Sequence, residues 1–536
     1  MPDPEVLIRG ALLPQGDGLS KPTDIAIAGG RISSMGAAAG RPPSNTIDAG
    51  GRVCLPGFVD AHCHAAAAIF EPSVAQALLR QGVTTIVVGQ DGIGPAPSDQ
   101  ASFEWSAGYF AGLDGASARL HPGSVADWLA AYDGAVPVNV AVFVPHGSLR
   151  YMVAGPAQRP CTESEIAQMA HLLDDALCDG AVGMSTGLEY VPAAWADRDE
   201  LESLLRVVAI RDRIHSSHMR GYEAAAPSAV SELVSLAQTT GALTHIAHYH
   251  GDDAMLSKLL DDAMVPITFD SYDYTRGCSL LTMVALPTWI PLADQAAALS
   301  QLGDATTQAR VLDHMAGLSA LWPRVTIAWA SGADPLTGEP LDWTAGVSLP
   351  DICARWGTSP EQAVIRLLIG TNLRATTIFQ QPPSDSEAAI SHLADRPEHM
   401  AGSDAVYVPF DGTGAPHPRG WGAMVRWLKH KVIDDATWTW SDAVDHLSTR
   451  AVTRFELGKR GRLGVGQVAD LVLIDPAQLS DTATYESPRS LATGIDDVYL
   501  AGVPVLQHGQ LTGRLNGGGL RWNTSENNDR AMARKE

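Results

Sequence analysis

His62 and His64 close the segment LPGFVDAHCH, two residues apart. On a strand that spacing puts both imidazoles on one face and turns Cys63 to the other. Further polar residues end apolar runs downstream: Asp91, His146, His218, His248, His250 and Asp404. One such histidine by itself reads more simply as a hydrogen-bonded core residue. Imidazoles and carboxylates converging in such number at one place read instead as a site for zinc or a similar divalent ion. Such an ion would polarise a carbonyl and bring water towards a pKa near ~7. Asp404, in HMAGSDA, could take the water's proton and return it to a leaving nitrogen. A plainer reading of Asp404 is the N-cap of a helix that follows its strand. Parity also sets His215 against His218, and His245 against His248, on opposite faces, whereas His250 shares a face with His248.

These groups need a set of strands ending at one rim. Eight candidate strands run over 57–64, 84–91, 139–146, 181–187, 213–219, 243–250, 265–272 and 398–404. Amphipathic stretches separate most of them; in 163–179, Ile166, Met169, Leu173 and Leu177 share a helical face. Nearly all-apolar strands alternating with helices predict an α/β fold, a (β/α)8 TIM-like barrel with its reactive groups where the strands end. The stretch 273–397 is too long for one crossover helix. It predicts an insertion near the barrel mouth, over about 285–350, placed as a lid.

Both ends of the chain read as short strands broken by Gly and Pro. EVLIRGALL, TDIAIAGGRISSMG and NTIDAGGRVCLPG lie at one end, RGRLGVGQVADLVLIDP and DDVYLAGVPVLQHGQL at the other. They predict one small β-sandwich domain built by both termini, from 1–56 and 455–520, with the barrel over 57–454 and a polar, frayed tail over 521–536.

A net charge of -23 and a pI near 5.0 argue against sequence-independent binding to nucleic acid or an anionic membrane. No run of apolar residues offers a membrane span, and MPDPEVLIRG has no basic region leading into an apolar one. Six cysteines without a CxxC pair read as reduced thiols in the cytoplasm. A small molecule is the expected partner, with a homo-oligomer left open. A GxSxG nucleophile elbow and a P-loop are both absent.

PGFVDAHCH, with HxH ending a first barrel strand and a late GSD, resembles the amidohydrolase superfamily. Other segments narrow the resemblance to the N-acyl-D-amino-acid deacylase (D-aminoacylase) family. They are QGVTTIVVGQDGIGPAP, HGSLRYMVAG, GAVGMSTGLEYVPAAWAD, SSHMRGYE, HIAHYH, DSYDYTRGCSLLTMVALPTW, MAGSD and PHPRGWG, in the family's order across about 50–425. The resemblance implies hydrolysis of a linear amide, foremost deacylation of N-acyl-D-amino acids, with one or two divalent ions, zinc first among them. It implies His62, His64, His218, His248 and Asp404 as ligands, and Asp404 as the catalytic carboxylate. The family's metal-bridging cysteine sits in a GNCG-like turn. The turn here is GQDG, so Asp91 stands in its place, a harder ligand that loosens any preference for zinc.

The resemblance further implies that Arg419 in PHPR and Tyr274 in SYDYTRG hold the substrate α-carboxylate. Asp273 replaces the proline of the family's YPY-like motif, and His250 stands where the family has a lysine. A surface salt bridge for Arg419 and a packed aromatic for Tyr274 are the plainer alternatives. Hydantoinase-like and phosphotriesterase-like relatives bridge their metals with a carboxylated lysine at a strand end, and none of the six lysines sits at one. Two other functions stay open: an amidohydrolase of another specificity, a D-peptidase or cyclic-amide hydrolase, and a catalytically silent barrel serving as a scaffold.

Overall fold

The computed structural model describes residues 5–36, 43, 45–94 and 96–522. Eight strands pair in parallel in chain order: Phe58–Asp60, Val83–Val88, Asn139–Pro145, Gly183–Gly187, Ile214–His218, Leu243–Ile246, Ile267–Ser271 and His399–Ala401. The last returns to the first. The Ala61 N–H donates to the Ala401 carbonyl at 3.1 Å, and Cys63–His64 pairs in parallel with Ala405–Val406. This is the (β/α)8 barrel that the apolar runs predict.

Every residue of Val83–Val88 and Asn139–Pro145 is buried. A barrel strand is covered by helices on one face and by the interior on the other, so neither face tolerates a polar stripe. Ile86, Val88, Val140 and Val142 pack into the helical layer. Val59, Val87, Ala141, Phe143 and Met400 fill the interior, which Phe455 closes from below, its ring edge-on to Phe143 at 5.6 Å. The helix Glu163–Cys178 starts on a capping box between Thr162 and Glu165. It buries Met169, Leu173 and Leu177 and leaves Ile166 half-buried.

After the seventh strand the chain leaves the barrel. Arg276–Leu280, Thr376–Gln380 and Val325–Trp329 form an antiparallel sheet, the middle strand last in sequence. Helices including Gln295–Gly303, Ala305–Ala316 and Pro360–Gly370 pack on it around a separate core of Leu280, Val325, Ile327 and Leu367.

At the termini, Val6–Ala11, Thr23–Ala28, Arg31–Met35 and Thr46–Asp48 make one sheet. Val53–Pro56 joins Leu471–Ile474, Ile495–Leu500, Val503–Gln507 and Gln510–Leu511 in a second. Ile8, Ile25 and Ile27 of the first bury against Cys54, Leu471, Leu473 and Tyr499 of the second, giving the β-sandwich. Arg521 pairs with Asp133 at 2.8 Å, and the Arg213 guanidinium stacks 3.3 Å from the Trp522 ring. The frayed end expected of the tail falls on 523–536, outside the described residues. Among the described residues, no helix is long and apolar enough to cross a membrane.

Candidate active site

The first and last barrel strands place the central groups. Asp404 donates its N–H to the His62 carbonyl at 2.8 Å, while Asp60 accepts the Ser403 N–H at 2.8 Å and the Ser403 hydroxyl at 2.5 Å. The GSD turn is therefore tied directly to the HxH segment. Three site residues, Asp91, His248 and Asp404, have positive φ, at 57°, 34° and 49°. A non-glycine residue there carries backbone strain, which such sites accept to aim a side chain. At His248 this turn also breaks strand parity. The sixth strand stops at Ile246, so His248 reaches the mouth although His245, three residues earlier, already faces the interior and bonds Asp270 at 2.9 Å.

Six predicted residues meet in two groups that share Asp91: His62, His64, Asp91 and Asp404 in one, Asp91, His218 and His248 in the other. His62 Nε2 and His64 Nε2 each lie 3.5 Å from Asp91 Oδ2, and 3.6 and 3.3 Å from Asp404 Oδ1. On the other side His248 Nε2 is 3.5 Å and His218 Nδ1 3.8 Å from the same Asp91 oxygen. Tetrahedral ligands at about 2.0–2.1 Å from an ion stand about 3.3 Å apart, so these separations fit shared coordination. His62 Nε2 and Asp91 Oδ1 are buried with no hydrogen-bond partner, which a bound cation would supply.

The field agrees. Burial opposes ionisation of Asp91, yet His62 and His248 hold it well below the usual carboxylate range. Burial also opposes charge on His62, but Asp91 and Asp270 outweigh it and push the imidazole up to about 10. For His218, burial is likewise outweighed by Asp91 and Glu189, which push it up to about 9. Carboxylates in excess around buried imidazoles make a cavity that favours a divalent cation.

Three carboxylates absent from the sequence reading hold the far ring nitrogens. Asp270 lies 3.3 Å from His62 Nδ1, Asp114 lies 3.4 Å from His64 Nδ1, and Glu189 lies 2.9 Å from His218 Nε2. Such partners fix which nitrogen faces the centre. Asp270 ends the apolar run VPITFDSY, the signal that could have found it; Asp114 lies in a loop with no such signal. Glu189→Leu is expected to lower metal affinity by about 10–100-fold, with Glu189→Gln recovering much of it, in a titration of metal-depleted protein. Equal affinities for wild type and the leucine variant would remove Glu189 from this role.

Glycines bring the Asp91 turn close. A Cβ at Gly187 would overlap the Asp91 carbonyl, and one at Gly92 would stand 2.7 Å from the Gly187 nitrogen. Gly187→Ala is expected to cost about 1–3 kcal/mol in denaturant unfolding and to lower bound metal by displacing Asp91. Unchanged stability and metal content would refute this.

A cavity of about 440 Å³ opens on the cluster, walled by Leu113, Tyr190, Tyr222, Met283, Val284 and Phe379. Cys278, Ser279 and Gln381 line it from the sheet that leaves the barrel. His250 also lines it, 3.3 Å from the buried Asp385 and stacked on Tyr222. Arg419 is fully buried, not a surface residue; its Nη2 lies 2.7 Å from Asp404 Oδ2 and its guanidinium 4.5 Å from the Tyr272 ring.

Two candidates stand elsewhere. Tyr274 does not line the cavity: it packs between the Arg426 guanidinium at 4.8 Å and the His417 ring at 5.2 Å, and Tyr272 forms the wall instead. His146 leaves the rim because a helix starts on it, and its Nε2 lies 2.8 Å from buried Glu200, which Arg150 also contacts. A buried carboxylate needs such partners.

An eight-stranded barrel with this cluster at its C-terminal rim defines a hydrolase of the amidohydrolase class, and the chain belongs to the amidohydrolase family, whose profile matches residues 45–506. It is 31% identical over 509 residues to the N-acyl-D-glutamate deacylase of Alcaligenes xylosoxydans xylosoxydans, covering 91% of each chain. To the D-aminoacylase of the same organism it is 30% identical, covering 95% of this chain and 96% of that one. A solved N-acyl-D-glutamate deacylase from Bordetella bronchiseptica, complexed with zinc and a phosphonate mimic of the tetrahedral intermediate, superposes with a TM-score of 0.76 at 27% identity. That match covers 97% of this chain and all of the other.

Proposed function

We propose that this chain deacylates N-acyl-D-amino acids, with a divalent metal, zinc foremost, held by His62, His64, Asp91, His218, His248 and Asp404. The observation that carries the reading is the pair of ligand groups sharing Asp91 at the barrel rim, with His62 Nε2 and Asp91 Oδ1 buried and without a hydrogen-bond partner. A divalent ion held by these residues would supply Lewis acidity, polarising the acyl carbonyl and acidifying water.

The chain's own residues do the rest. Asp404 takes the proton from the attacking water and returns it to the leaving nitrogen. In this structure Asp404 Oδ2 is held by Arg419. A substrate carboxylate that engages Arg419, whose Nε and Nη1 have no acceptor, would release Oδ2 to accept that proton, so substrate binding and base activation are one event. Tyr272, under the same guanidinium, orients it. His250 bounds the cavity near His248, and Leu113, Met283, Val284 and Phe379 exclude water from the acyl or side-chain groups.

The substrate's D configuration is supported by both deacylases described above. All six cysteines are free, which supports a reducing, cytoplasmic setting. A panel of N-acetyl-D- and N-acetyl-L-amino acids with cyclic amides tests the reading on metal-replete protein. Turnover is expected on the D series; hydrolysis of the cyclic amides alone would replace it with the cyclic-amide alternative.

A further inference from the structure

Arg419 is fully buried behind the cavity wall, and among the described residues no lysine or arginine lines the cavity itself. A substrate carboxylate that reaches Arg419 therefore meets neutral donors on its cavity side. Ser279 is already engaged, 3.1 Å from the Tyr190 hydroxyl. The Gln381 amide is not.

Gln381 and Asp385 begin and end the segment QPPSD, which joins the strand Thr376–Gln380 to the helix Glu387–Ala394. Two prolines fix φ between them, and both side chains are buried. Together they grip His250. Gln381 Nε2 lies 3.4 Å from His250 Nε2, and Asp385 Oδ2 lies 3.3 Å from His250 Nδ1. Neither Asp385 oxygen has a hydrogen-bond partner, and among the described residues His250 is the sole ion-pair partner of that carboxylate.

A buried carboxylate is costly unless a donor faces it. Asp385 therefore draws the Nδ1 hydrogen of His250 and leaves the Nε2 lone pair towards Gln381. Gln381 must turn its nitrogen to that lone pair, because its oxygen would be repelled. One N–H of the amide is spent on His250, and the other is left for the cavity that Gln381 lines. Gly277, on the same wall, keeps room beside it: a Cβ there would stand 3.2 Å from Gln381 Nε2.

The backbone ties Gln381 to Arg419. The Gln381 N–H donates to the Thr275 carbonyl at 2.9 Å, and the next carbonyl, of Arg276, accepts from His417 Nε2 at 3.0 Å. His417 Nδ1 in turn accepts the Arg419 N–H at 3.1 Å. Tyr272 feels both groups: burial pushes its hydroxyl up, Arg419 opposes this, and Asp404 and Asp385 add to it.

We propose that Gln381 is a specificity-determining residue that donates its second N–H to the substrate carboxylate engaged by Arg419, and that Asp385 is a positioning residue acting on it through His250. The inference rests on the deacylase reading above. A hydrogen bond to a charged acceptor that is the same in ground and transition states appears in KM and leaves kcat alone.

The test is steady-state kinetics of metal-replete protein on the best N-acetyl-D-amino acid. Gln381→Met is expected to raise KM about tenfold or more with kcat nearly unchanged. Gln381→Glu, which keeps the shape and adds a negative charge, should raise KM further. Asp385→Asn should raise KM several-fold by itself and add nothing in the Gln381→Met background. Wild type inactive on every N-acetyl-D-amino acid would sink the deacylase reading and this inference with it. An active wild type whose KM is shared by Gln381→Met would overturn the inference alone. Equal KM for the methionine and glutamate variants would show that the acceptor is no carboxylate, and additive effects of Asp385→Asn would remove its action through Gln381.

Discussion

Asp404→Asn is expected to lower kcat by about 10²–10⁴-fold on the best N-acyl-D-amino acid, in protein reloaded with metal and shown to be folded. The amide keeps the size of the carboxylate and can still offer an oxygen to the cluster, but it cannot carry the proton from water to leaving nitrogen. The variant also removes the counter-charge of buried Arg419, whose Nη2 lies 2.7 Å from Asp404 Oδ2. Breaking one side of a buried pair costs about 3–5 kcal/mol, so a lower melting temperature should accompany the loss of turnover. Elemental analysis separates the two effects. If the folded, metal-replete variant turned over at a near-native rate, the proton-transfer role of Asp404 would be wrong.

Asp91→Ala should have the largest effect on metal binding, because Asp91 belongs to both ligand groups. Its Oδ2 is the common neighbour of His62, His64, His218 and His248, at 3.5, 3.5, 3.8 and 3.5 Å. Removing it leaves no carboxylate common to all four imidazoles, since Asp404 reaches only His62 and His64. The fall in affinity should exceed the roughly 10–100-fold that follows loss of an outer hydrogen-bonding partner. Asp91→Cys is the informative partner variant: a thiolate at this position is softer and should restore binding while raising zinc over manganese. Competitive loading with the two ions, followed by metal analysis, reads the ratio. An alanine variant that keeps its metal through dialysis against a chelator would show that Asp91 is no ligand.

Much of this arrangement is legible in the sequence. The eight apolar runs and the polar residues that end them follow from one physical fact: barrel strands are buried on both faces and expose chemistry only where they stop. Asp91 was identifiable by its turn, GQDG, and Gly187 shows why a small residue must face that turn. His146 fulfilled the same pattern and still stands apart, because the decisive partner, Glu200, lies 54 residues away on the helix Arg198–Ile210. Tyr274 and Tyr272 are likewise equivalent as letters. Only the packing of Arg426 on one and Arg419 on the other separates the buried aromatic from the cavity wall.

The local code of this chain determined which residues could bind a cation, because residue type and strand spacing set donor chemistry and facing. Tertiary structure decided how they are held. Asp270, Asp114 and Glu189 reach the far nitrogens of His62, His64 and His218 from other elements, and positive φ at His248 turns a ring that strand parity would point away. Those contacts span up to 208 residues of chain, as between His62 and Asp270, and a sequence period carries no information about such pairings. Periodicity reports the face of one element; convergence depends on how the closed barrel brings eight of them to one rim.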